Sequence, residues 1–438
     1  MAAELLEVRV EADASFVRTV AVFDNLPNCD VRVCDGSARI EVLLYETQAR
    51  PGLTLPSARF PVISLDCYQG QENFLLGLNL AGDWPRYVER RDYELIVSFP
   101  RLFRETRSIP LATVGTLNIE RKGNAAALEE VFWIKLAPDV VSERLGLALA
   151  ANHGPRTLPL SELALREKTV LAVNAGFFDA GGTPVGLVIA DGELVALPVK
   201  PDRPALVVDT NGRASIVRPR LGLWLETDSR RVRVDGFNQP SRPGSVIAYS
   251  RIFPKAKLPP GAIYYRLSLS GIEMLSHEEV SRTDFEDFFL AVNLPLEADP
   301  FADAAGIELR WRLTDETGVE IPARFAISGA PLLVESGQVS ITSEQDGVPK
   351  AISDSVRART AVGADAMGNV YLLVAREDGA RGVPGLSLQE LAEKLIQIGA
   401  WTAFNLDGGG SSEITLAGVP LNLPCAKERN IPTSLVIR

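Results

Sequence analysis

One stretch near the C-terminus constrains what this chain can build. Residues 400–404 form an apolar run that reads as a strand entering the interior, and it stops at Asn405-Leu406-Asp407, followed by Gly408, Gly409, Gly410, Ser411, Ser412 and Glu413. Consecutive glycines weaken regular structure, because each loses more backbone freedom on folding than any other residue, yet they let a backbone approach a ligand closely. The chain must therefore build sheet up to the edge of a polar turn. Asp407 would sit at the strand's end, and Ser411 and Ser412 offer donors that suit phosphate or sugar oxygens. No lysine follows the glycines, so the turn is not a G-x-x-x-x-G-K-[ST] nucleotide loop, and no G-x-S-x-G elbow occurs. The plain alternative is a glycine-rich hairpin connection.

With 438 residues, 46% of them hydrophobic, the chain can fill more than one core. Its net charge of -11 argues against a nucleic-acid partner or an anionic membrane surface, so any phosphate chemistry needs a local basic site. Four cysteines, three of them before residue 70, are too few for a disulfide scaffold and admit at most one bridge in that region. With only His153 and His277, no Cys/His zinc pattern is present. The start Met-Ala-Ala-Glu-Leu-Leu-Glu lacks the basic and apolar regions of a signal peptide, and no stretch approaches ~18 uninterrupted apolar residues. As written, the expectation is a cytoplasmic protein with no membrane span; secretion would require a leader removed from this sequence.

Residues 1–110 alternate short apolar runs, at 16–23, 38–45, 60–65 and 93–99, with turn residues including Pro27, Pro51, Pro56 and Pro85. That spacing predicts antiparallel, sandwich-like β structure and shows no catalytic constellation. An accessory domain over 1–115 and a main domain over 116–438 follow. In the second, a short helix at 160–167 leads to a buried strand at 169–173, which ends in Asn174-Ala175-Gly176-Phe177-Phe178-Asp179. Hairpins turn at Asp191-Gly192 and Asn211-Gly212. Ser387-Leu388-Gln389-Glu390 is a capping box, and Leu388, Leu391, Leu395 and Ile398 recur at helical spacing until Gly399. Strand 370–375, helix 388–398 and strand 400–406 thus read as a β-α-β unit, in which ligands favour the strands' carboxyl ends, where Asp407 falls. The predicted fold class is α+β: a mixed, largely antiparallel sheet core with packed helices, preceded by the β-rich domain.

Five segments occur in an order that resembles the phosphodiester glycosidase family: Asn174-Ala175-Gly176-Phe177-Phe178, Gly329-Ala330-Pro331-Leu332-Leu333, Arg359-Thr360-Ala361-Val362-Gly363, Asn405 to Ser412, and Glu428-Arg429-Asn430-Ile431-Pro432. The resemblance covers about residues 125–438, and its Asn-Leu-Asp-Gly-Gly-Gly-Ser-Ser block is the specific part. Two departures stand out: Ala175 replaces a glycine usual in the first motif, and Asp378-Gly379-Ala380-Arg381 replaces the usual Asp-Gly-Arg. The resemblance implies a hydrolase that cleaves the glycosidic bond of a sugar-1-phosphodiester, on a small-molecule or glycan substrate. It requires no cofactor and leaves room for a divalent cation, with no metal ligands assigned. Asp407 is the first candidate for the carboxylate chemistry, followed by Glu335 and Asp179. Substrate binding is expected at Asn174, Gly176, Arg359, Thr360, Asn405, Gly408, Gly409, Gly410, Ser411, Ser412 and Arg429. Among these, Arg359 is the expected bidentate phosphate partner, helped by the glycine N–H groups. Two other readings compete: a saccharide- or phosphate-binding protein without turnover, and a metal-dependent phosphodiesterase attacking phosphorus.

Overall fold

The computed structural model describes the chain except residues 1, 35–37, 83, 125, 151–156, 198–202, 228–229, 240, 251–252, 254–257, 259, 269–270, 283–287, 295–298, 300, 302–305 and 424–427. His153 and Cys425 therefore lie outside the described residues, while Cys29 and Cys67 are free thiols.

The first hundred residues form two sheets. One orders Thr47–Ala49, Ala3–Ala12, Phe16–Phe23, Glu94–Pro100 and Tyr87–Arg91; the other orders Cys29–Val33, Arg39–Leu44, Phe74–Leu80 and Val62–Gln69. Alternation makes the pair possible: Ile40, Val42 and Leu44 point inward from one sheet, and Phe23, Leu95, Val97 and Phe99 meet them from the other. Leu128 and Val383, from the later part of the chain, close the end of this core.

An eight-stranded sheet follows in the order Phe103–Leu111, Gly115–Gly123, Leu128–Leu136, Val370–Ala375, Arg359–Ala364, Thr402–Asn405, Leu332–Glu335 and Gln338–Val339. A second sheet orders Leu145–Leu149, Thr433–Ile437, Leu171–Asn174, Ile414–Leu416 and Val419–Pro420; a third is centred on Ala323–Ser328. All three contribute to one core, in which Phe132, Leu372 and Phe404 pack with Val173, Leu435, Leu206 and Ile327.

The expected α+β class with packed helices is corrected: the protein is mostly β, 52% strand against 10% helix. The physical reason is that the sheets cover one another's apolar faces, leaving little surface for helices to shield. Only Leu388–Ile398, among the described α-helices, exceeds seven residues. Its Ser387–Glu390 capping box forms, Gly399 ends it at φ 111°, and Leu391 and Leu395 pack on Ala361, Leu373 and Ala403.

The β-α-β reading also needs refinement. Strands Val370–Ala375 and Thr402–Asn405 run parallel, but Arg359–Ala364 lies between them, antiparallel to both. The insertion brings the Arg359-Thr360 motif alongside the Asp407 turn.

Candidate active site

Asp407 follows the strand Thr402–Asn405, and the loop around it is fixed from three sides. The Leu406 N–H donates to Thr360 O at 2.8 Å and the Asp407 N–H to Ala175 O at 3.0 Å. Asn174, 1% exposed, donates from Nδ2 to Asp407 O at 2.7 Å; its Oδ1 accepts the Thr360 hydroxyl at 2.6 Å and the Glu413 N–H at 3.1 Å. Both ends of the Asn174 amide are thereby engaged, and its place is the scaffold beneath the site. Gly176 belongs there too: its N–H donates to Thr433 Oγ1, and an added Cβ would lie 2.8 Å from Ile327. Asn405 reaches back to Ala330 O and Leu406 O. Ala175 sits in the main core, so the methyl that departs from the family motif packs among apolar side chains.

The glycine turn differs from the expected cradle. The Gly408 N–H donates to Asp407 Oδ1 at 3.0 Å and the Gly409 N–H to Ala358 O at 2.8 Å, so two of the expected N–H donors are already engaged. Gly409 is needed for its φ of 61°, and residues 409–411 make one 3-10 turn. What brackets this turn is a pair of arginines. An added Cβ on Gly409 would stand 3.6 Å from Arg357 Nη1, and one on Gly410 would stand 3.8 Å from Arg429 Cδ. The Arg429 guanidinium also lies over the Phe178 ring, 5.1 Å from its centroid.

Arg359 does not join them. It is 1% exposed and donates to the carbonyls of Leu386 at 3.2 Å, Ile352 at 3.0 Å and Ser355 at 2.5 Å. Burial, with the neighbouring Arg357, pushes its pKa down to about 10. Arg359 thus holds the segment before it in place, while Arg357, half-exposed, leaves Nε without a partner beside the glycine turn.

Of the other carboxylate candidates, one lies elsewhere and one is engaged in its own turn. Glu335 is exposed at the end of Leu332–Glu335, and the antiparallel pairing of Leu332 with Phe404 and Val334 with Ala403 puts it towards the opposite end of the strand from Asp407. Asp179 closes its own turn, accepting the N–H groups of Gly181 at 2.8 Å and Thr183 at 2.9 Å.

Asp407 itself is desolvated, which raises its pKa; Ser411, Arg429 and the Gly408 N–H oppose that rise. The Ser411 hydroxyl acts by proximity, since at ordinary geometry its Oγ has no hydrogen-bond partner. The sequence reading passed over a second acid. Glu413, 3% exposed, has its pKa pushed up to about 8 by burial and by the adjoining Glu428, with which it shares a hydrogen bond. Glu428 also accepts the Ser161 N–H at 3.2 Å. Glu413 Oε1, Ser411 Oγ, Ser412 Oγ and Ser434 Oγ are all buried without partners. Keeping four such atoms unpaired costs stability, and they fall on the segment after Asp407 and on Ser434, which pairs with Asn174 in the sheet. The signal in the sequence was that Glu413 ends the glycine stretch and Glu428 opens the last motif. Among the described residues, no three His, Cys, Asp or Glu side chains gather as metal ligands do.

Residues 299–438 match the family model described as phosphodiester glycosidase. Over 114 residues the chain is 33% identical to N-acetylglucosamine-1-phosphodiester alpha-N-acetylglucosaminidase of Bos taurus, a stretch that covers 24% of this chain and 21% of that one. The Homo sapiens enzyme matches at 33% over 114 residues, 22% of its length. The match spans about a fifth of these relatives. A hypothetical protein from Synechocystis superposes with a TM-score of 0.67 at 19% identity, over 100% of this chain and 81% of that one. A putative exported protein from Burkholderia pseudomallei superposes at 0.55 and 16% identity, over 98% and 96%. Those two likenesses show a shared fold. The family resemblance carried by the motifs is thereby shown over residues 299–438, about a third of the chain.

Proposed function

We propose that this protein hydrolyses the glycosidic bond of a sugar-1-phosphodiester and releases the free sugar. The observation that carries the reading is the pair Arg357 and Arg429 on either side of the turn that begins at Asp407. Two guanidinium groups suit a phosphodiester anion, and a net charge of -11 makes such a local basic site notable. A departing phosphomonoester has a second pKa of about 6, so electrostatic stabilisation can replace much of the protonation that a sugar alcohol would need. On the sugar side, Asp407 is the carboxylate for an oxocarbenium-like centre or for an attacking water. Glu413, whose carboxyl pKa is raised to about 8, supplies a hydrogen bond or a proton, with Glu428 beside it.

The test is turnover of a panel of chromogenic α-sugar-1-phosphodiesters, with and without chelator. Free sugar is the expected product, with turnover unchanged by chelator. Sugar-1-phosphate would instead mean attack at phosphorus, with loss under chelation marking the metal-dependent phosphodiesterase; no product from any substrate would favour a binding protein of the same fold.

A further inference from the structure

At the other end of the strand that leads to Asp407 lies a cleft of about 570 Å³, about six extended residues and therefore roughly 20 Å away. Three rigid pieces wall it. The helix Pro138–Glu143 meets the hairpin turn at Gly212, where φ is 81° and an added Cβ would fall 2.0 Å from Ser142 Oγ. The turn at Asp365 is held by the N–H groups of Met367 and Asn369 and by the Tyr371 hydroxyl, all donating to the carboxylate at 2.9–3.0 Å. The third piece is Trp401. Its N–H donates to Ala364 O, its carbonyl accepts the Gly337 N–H, and its indole lies against Gly337, where an added Cβ would stand 3.0 Å from the ring.

Of the chain's five tryptophans, all described, Trp401 alone is exposed, at 53%. An indole fixed on one side and left open on the other is a stacking platform; leaving it in water forgoes the burial that the other four obtain. Asn211, Ser215 and Thr402 line the same cleft with short amide and hydroxyl groups at several angles, and Asp139 adds an acceptor. The lining holds Asp139 and Asp365 against the single cation Arg213, so the cleft carries no positive excess for an anion.

We propose that this cleft is a second binding site, for a neutral saccharide, with a pyranose ring stacked on Trp401 and its hydroxyls hydrogen-bonded to Asn211, Ser215 and Asp139. It is separate from the Asp407 turn and independent of whether that turn hydrolyses a diester.

The test is native electrophoresis of the full chain through gels containing dextran, glycogen, laminarin or glycol chitin, against gels with no polysaccharide. The parent should be retarded by at least one of them. Trp401→Ala should lose that retardation, weakening the apparent affinity tenfold or more, and Trp401→Phe should keep part of it. Ser215→Arg, which fills the cleft without altering the indole, should lose it as well. A melting temperature close to the parent's separates loss of binding from loss of fold. No retardation of the parent in any gel would overturn the proposal. So would retardation that survives Trp401→Ala but disappears in Asp407→Asn, which would put the glycan at the other end of the strand.

Discussion

The paired sheets of the first hundred residues and the sheets around Asp407 treat buried polarity in opposite ways. In the first region the deeply buried polar side chains are few, Thr19, Thr47 and Ser98, in a core of Leu, Val, Ile and Phe. Around Asp407 the chain buries Asn174, Arg359, Thr360, Asn405, Ser411, Ser412, Glu413, Thr433 and Ser434, each 3% exposed or less. Burying polar groups costs free energy unless they are hydrogen-bonded, as Asn174, Thr360, Arg359 and Thr433 are. Asn405, Ser411, Ser412, Glu413 and Ser434 each keep one buried polar atom without a partner. The first region buries few polar groups, and the second buries a polar cluster at a cost in stability that a polar ligand would offset.

The largest effect should come from the acids. Asp407→Asn and Glu413→Gln are each expected to lower kcat/KM on a diester substrate by about 10²–10⁴-fold, the range of general acid–base and carboxylate contributions. Their melting temperatures should stay level or rise, because each removes a buried ionisable group. Full activity in either variant, or a loss of fold, would break the comparison.

The two neighbouring arginines should separate next. Arg357→Ala should cost about 10²-fold in kcat/KM with the fold intact. Arg359→Ala should instead lower stability by about 2–4 kcal/mol, since it strands three carbonyls in the interior. Denaturant titration beside kinetics distinguishes them, and the reverse pattern would restore Arg359 as the phosphate partner.

A smaller and graded effect is expected from pH. The Glu413 carboxyl has a folded pKa of about 8 against an ordinary value of 4.5, so the folded state holds a proton that the unfolded chain releases. Its contribution to stability is complete below about 4.5 and is lost as pH rises to about 8. Glu413→Gln should flatten that decline, as measured by melting temperature from pH 5 to 9. If Glu413 acts as the acid, parent turnover should also fall above about pH 8.

The smallest effect belongs to the first region. Thr19, 1% exposed with its hydroxyl unpaired, should accept valine within about 0.5 kcal/mol or gain slightly. A severe loss there would show that this core also depends on buried polarity.

Much of the local structure was legible in the sequence because it rests on short-range rules. The run 16–23 is the strand Phe16–Phe23, the capping box and Gly399 bound the helix Leu388–Ile398, and Asp191-Gly192 turns its hairpin with φ of 49° and 79°. The balance of sheet and helix was not legible, since it depends on which apolar faces meet across the core. The same limit separates Arg357 from Arg359. They are two residues apart, and the carbonyls of Leu386 and Ile352, brought in by folding, decide which one is interior. Glu413 reads as a surface acid until Asn174 and Glu428 close around it.

Asn174 carries one more consequence. Its amide joins Thr360, Asp407 and Glu413 across 186, 233 and 239 positions of chain. Contacts of such separation close long loops, which slows folding. The Asp407 turn is therefore held only once chain from 174 to 413 is in place. During refolding, ordering of the Asp407 turn should coincide with the slowest structural phase.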